Sequence, residues 1–62
     1  MEMCIMCDLP QKTAIKIAKN FRVEIIGNKI HNKGCALRIS CEFSEGIKLM
    51  LALAEYSQSV TL

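Results

Sequence analysis

Four cysteines and one histidine are the residues of this 62-residue chain best suited to metal or redox chemistry. Cys4-Ile5-Met6-Cys7 forms a C-x-x-C pair, which can offer two thiolates to zinc if two further ligands converge on them. The supply is His31, Cys35 and Cys41. Cys35 and Cys41 stand at the two ends of one alternating stretch, about 20 Å apart at the usual rise of a strand. They cannot both reach an ion that holds sulfur at about 2.3 Å. The one quartet that survives is Cys4, Cys7, His31 and Cys35. No glycine or proline shapes a tight turn around the first pair, and no second C-x-x-C follows. The plainer reading makes Cys35 and Cys41 small buried hydrophobes. No cofactor is expected, with zinc the single candidate.

A thiol at a helix N-terminus becomes a better nucleophile as its pKa falls. Cys7 lies just ahead of a helical pattern, but the adjacent Asp8 is the natural cap, and its negative charge opposes thiolate formation. His31 stands alone among turn residues, with no acid or nucleophile beside it to make general acid–base work. Ser40, Ser44, Ser57 and Ser59 lack the setting of a nucleophile elbow. The three glycines are scattered, so no phosphate-cradling loop exists. The chain reads as a non-enzyme.

A third constellation is basic. Lys12, Lys16, Lys19 and Arg22 follow one another with no acid between Leu9 and Arg22. Helical spacing groups the lysines on one face, where they could track phosphates. No aromatic residue is interleaved to stack on bases. The net charge of +2 is small for a dedicated nucleic-acid module. A solvated helix face is the plainer reading.

The elements that must position these residues follow from periodicity. Met3 to Cys7 reads as a short strand. Asp8-Leu9-Pro10-Gln11 predicts a helix start, with Asp8 capping and Pro10 where a missing N–H costs nothing. The helix, about Leu9 to Asn20, buries Ala14, Ile17, Ala18 and Phe21 as one stripe with Ile15 beside it. Phe21, Val23 and Ile25 then alternate with charged residues, as in a half-buried strand. Gly27-Asn28 interrupts it as a bulge or tight turn, and His31-Asn32-Lys33-Gly34 predicts a hairpin connection. Cys35, Leu37, Ile39, Cys41 and Phe43 share one face of the next strand. Ser44 is placed to cap a second helix running to about Ser57.

The expected fold is therefore α+β: a single β-α-β-β-α domain over residues 1–62, with two helices packed on one face of a short, three-stranded antiparallel sheet. The second helix is more apolar than one buried stripe requires. Ile47, Leu49, Met50, Leu53 and Tyr56 are the candidate interface for a second copy or another protein. No apolar run is long enough to span a membrane, and no signal-peptide pattern opens the chain. Free thiols and this core-like composition suit a cytoplasmic protein. The leading expectation is a small inhibitor or adaptor that self-associates and acts by protein–protein contacts. A nucleic-acid-binding regulator using Lys12, Lys16, Lys19 and Arg22 is second, and a binder of small ligands between subunits is third. Stand-alone proteins of this length are numerous in mobile genetic elements and bacteriophages.

Overall fold

The computed structural model describes every residue from Met1 to Leu62. Its elements are β1 (Glu2–Cys7), α1 (Gln11–Ala18), β2 (Val23–His31), β3 (Gly34–Cys41), α2 (Phe43–Tyr56) and β4 (Val60–Thr61). The expected α+β class and β-α-β-β-α order are present. The sheet has four strands rather than three, in the order β2-β3-β1-β4, with every neighbouring pair antiparallel. Each helix thus links two parallel strands that are separated by one strand of the other unit. This is the double split β-α-β arrangement of ferredoxin-like domains, an architecture that carries many functions and implies none.

β1 alternates exposed and buried residues along its whole length, which puts Met3, Ile5 and Cys7 under the helices. β3 does the same with Cys35, Leu37 and Ile39, and the two strands pair from Glu2↔Ser40 to Cys7↔Cys35. The Met1 ammonium and carbonyl both bond the backbone of Cys41, at 2.8 and 2.9 Å, so pairing extends to the first residue. β2 pairs with β3 throughout, apart from one irregularity between Ile25 and Gly27. The Gly27 interruption is therefore a bulge inside a single strand. Beyond it the faces exchange, because one extra residue in a pleated strand reverses the alternation.

At the hairpin tip, Asn32 and Lys33 join His31 to its partner Gly34. Gly34 takes a φ of +154°, and a Cβ there would strike the Cys7 carbonyl oxygen and sit 2.6 Å from the Asp8 Cα. Only glycine lets the hairpin pass this close to the end of β1. Gly46 does similar service for α2. Its missing side chain leaves room for the Met3 thioether and the Cys41 sulfur, bringing the helix down onto β1.

Both helix starts differ from expectation. α1 begins after Pro10 with no side-chain cap, because Asp8 is engaged elsewhere. Its carboxylate accepts hydrogen bonds from the Ser57 hydroxyl and from the Gln58 N–H at 3.2 Å, tying the end of β1 to the α2–β4 connection. α2 begins at Phe43, one residue before Ser44, because the Glu42 carbonyl already accepts from the N–H groups of Glu45 and Gly46 at 3.1 Å. α1 ends in tightened turns, Asn20 to Ile17 and Phe21 to Ala18, both at 3.1 Å.

Eleven residues are buried and none of them is polar. The core is one cluster joining Met3, Ile5 and Cys7 to Cys35, Leu37 and Ile39, roofed by Ala14 and Ala18 of α1 and Leu49 and Leu53 of α2. α1 covers β2 and β3, whereas α2 covers β1, β3 and β4. The opposite face of the sheet carries no helix.

Candidate interaction surfaces

α2 was expected to show an outer face made of Ile47, Leu49, Met50, Leu53 and Tyr56. The structure removes two of these: Leu49 and Leu53 are fully buried against the sheet. The entry angle of α2, set by the close approach at Gly46, decides which stripe turns inward. Leu51, two residues from both of them, lies on the far side of the helix because each residue advances about 100°. It is 65 % exposed, and Phe43 is 58 % exposed. Ile47 and Met50 are half-buried, and Met50 packs against the core cluster. Tyr56 ends the helix at 67 % exposure. The outward stripe is therefore Phe43, Ile47, Leu51 and Ala54, at offsets of 0, 4, 8 and 11. The charged pair Lys48–Glu45, 3.2 Å apart, sits off this stripe, and Glu45 also accepts the Arg22 N–H at 3.2 Å. These two contacts hold the Glu45 carboxyl below its usual pKa, the Arg22 N–H first. Phe43 and Leu51 are the surface residues that sequence reasoning missed. For Leu51 the spacing was visible, but which of two apolar stripes faces the sheet was not. Phe43 was expected on the inner face of β3 and instead opens α2.

The cysteines divide between the two faces of the sheet. Cys7 and Cys35 are buried cross-strand partners with sulfurs 3.9 Å apart, and Cys41 lies 3.8 Å from the Met3 sulfur. Burial first, then the neighbouring Cys7 thiol, pushes the Cys35 thiol up to about 11. It stays protonated and inert near neutral pH. Cys4 is exposed on the helix-free face, because an odd offset from Cys7 in a strand reverses the side-chain direction. The proposed quartet of Cys4, Cys7, His31 and Cys35 is accordingly not assembled. No group of three or more His, Cys, Asp or Glu side chains comes together in a way that could hold a metal ion.

Lys12, Lys16, Lys19 and Arg22 are all exposed. Neither of the two ion pairs, Arg38–Glu2 and Lys48–Glu45, involves them. Lys12 also borders a cleft of about 550 Å³ between the start of α1 and the β2–β3 hairpin, together with Gln11, Ile30, His31 and Lys33. His31, expected as an exposed turn residue, is exposed at the end of β2. The Gln11 side chain bonds Asn28, anchoring α1 to β2 beside this cleft. The helix-free face of the sheet holds Cys4, Met6, Ala36, Arg38 and Lys29 in its central rows, with no aromatic residue among them. Phe21, Phe43 and Tyr56, the only aromatics, all lie outside the strands.

No helix is long and apolar enough to cross a membrane. No protein-family model matches the sequence, and no curated protein or solved structure matches it either.

Proposed function

We propose that this chain is a non-enzymatic binding module that pairs with a second copy through the outer face of α2 and acts on another protein as an inhibitor or adaptor. The observation that carries this reading is the uncharged stripe of exposed Phe43, Leu51 and Ala54 with half-buried Ile47, on a helix whose other face is already committed to the core. A helix with two apolar faces is expected to have two partners. A small core with eleven buried residues would gain from the second. Four unlinked thiols support a cytoplasmic setting.

Light scattering coupled to size exclusion tests the pairing. The wild type is expected at twice the chain mass, and Leu51→Glu at the chain mass with an unchanged circular dichroism spectrum. A wild type that stays monomeric at about 100 µM, a concentration well above ordinary micromolar affinities, would refute self-association through α2.

A second reading rests on the unpaired lysines of α1, which suit a nucleic-acid backbone. Binding of this kind falls steeply between about 50 and 200 mM salt and would be lost in Lys16→Glu but not in Leu51→Glu. The absence of aromatic side chains on the open sheet face weighs against a base-stacking platform.

A further inference from the structure

The sheet ends differently at its two sides. β1 is covered on its outer edge by β4 at Met6 and Cys7, while β2 has no neighbour beyond it along its whole length. Backbone direction on β2 follows from the reciprocal bonds between Met1 and Cys41. In an antiparallel ladder such pairs recur every second residue, so Cys35, Leu37 and Ile39 bond β1. Gly34, Ala36, Arg38 and Ser40 therefore bond β2. Their partners there include Lys29 and His31. Asn28 and Ile30, between and beside them, aim their N–H and C=O groups away from the sheet.

Of these two, Ile30 borders the cleft that holds Lys12, His31 and Lys33 and is 73 % exposed at its margin. Asn28 and Ile30 lie opposite Leu37 and Cys35, so their side chains project to the helix side, as the Gln11–Asn28 bond requires. Lys29 projects to the other face. A strand laid on this edge thus meets an isoleucine and a lysine on the helix side and a lysine on the open side.

We propose that the free edge of β2 at Asn28–Ile30 accepts an extended acidic peptide as a fifth strand, with its carboxylates on Lys12 and Lys33. Strand addition supplies affinity through main-chain bonds and specificity through alternate side chains. Charge selects the occupant. A second copy would bring Lys29 against its own counterpart and the α1 lysines against theirs. The lysine on the strand and the bulge at Gly27 are devices that blunt self-pairing at an edge. An acidic segment meets the same lysines as attraction. Asp8 borders this cleft as its one acid; it is held by Ser57 and Gln58. This surface is separate from the α2 stripe and stands or falls without it.

The test uses the full chain and a fluorescent peptide of alternating Glu and Val, about ten residues long, near the upper limit of ordinary strands. Expected are saturable binding that weakens with salt, and slowed amide exchange at Asn28 and Ile30 with Lys29 and His31 unchanged. Lys12→Gln combined with Lys33→Gln should weaken binding about threefold to tenfold, as for two exposed ion pairs. Ile30→Pro removes an outward N–H without touching the ladder to β3, so binding should be lost with the fold intact. If Ile30→Pro fails to fold, a peptide with proline at alternate positions makes the same test. No binding of the Glu/Val peptide overturns the proposal. Equal binding of the alternating Lys/Val peptide, or of the proline-containing peptide, also overturns it. So does a single-stranded DNA of similar charge that binds as well without slowing exchange at Asn28 and Ile30, which would assign the lysines to phosphates.

Discussion

α1 and α2 lie on one face of one sheet, yet they solve the packing problem differently. α1 is eight residues long and buries two alanines, with half-buried Ile15 and Ile17 on its flanks, Lys12 and Lys16 on top and Lys19 just past its end. Small residues let it settle close to β2 and β3, and nothing apolar is left over on its outer side. α2 is fourteen residues long, buries two leucines and a glycine, and still presents Phe43 and Leu51 to the outside. Amphipathicity is complete in the first helix and exceeded in the second. The first is finished by water, and on the proposed reading the second is finished by another apolar surface.

That contrast can be broken most severely within α2 itself. Leu53→Glu places an unpaired carboxylate in the core, a cost of several kcal/mol against a total of about 3–9 kcal/mol for a chain of this size. Loss of the cooperative urea transition is expected. Leu51→Glu, two residues away, should keep a cooperative transition, lowered only by the stability that association contributes, and abolish association instead. If both substitutions unfold the protein, the outward assignment of Leu51 is wrong.

α1 offers a milder pair. Ala18 is fully buried under the roof of the sheet, so Ala18→Leu should cost about 1–3 kcal/mol by overpacking. Lys16→Glu, on the exposed face, should change stability by less than about 0.5 kcal/mol. Urea denaturation followed by circular dichroism reads both. A large loss at Lys16 would mean that the basic face has a structural partner.

The smallest effect lies where the end of β1 meets the chain after α2. Asp8 has its pKa lowered below the usual 3.8, chiefly by the Ser57 hydroxyl, with the Gln58 N–H helping against a modest desolvation. A carboxylate whose folded pKa is depressed contributes stability above its unfolded pKa and loses it as pH falls through the folded value. Asp8→Asn should therefore lower the urea midpoint slightly at pH 7, and the gap to the wild type should close as pH drops below about 4. A gap that persists at pH 2 would show that the carboxylate charge is not what Ser57 and Gln58 recognise. Thiol labelling sharpens the division of the sheet faces: Cys4 should react promptly in the folded protein, and Cys35 only on unfolding.

Much of this was readable from residue order. Alternation identified β3 and its inner face as far as Cys41, since a period of two leaves only two options and the apolar set occupies one. It carried that face on to Phe43, which instead opens α2 and is exposed. β1 was legible only as a short apolar stretch. Gly27-Asn28 marked an interruption that left a bulge and a tight turn both open, and Gly34 marked the hairpin, where backbone geometry requires glycine. β4 escaped notice because two residues carry no periodicity, and their pairing depends on where α2 releases the chain. Asp8 looked like a cap because three-residue spacing to Gln11 suits one; only folding brings Ser57 and Gln58 within its reach.

Sequence alone settled the α+β class, the order of the main elements and the surplus of apolar residues on α2. These are local properties, written in spacing along the chain. Tertiary structure decided that Leu49 and Leu53 face inward while Phe43 and Leu51 face out. It also put Cys4 and Cys7 on opposite faces of the sheet and left the β2 edge open beside Lys12 and Lys33. A helix rolls on its axis, and a sheet chooses its edges, only when long-range contacts such as Gly46 on Met3 and the Met1–Cys41 pairing lock the elements together.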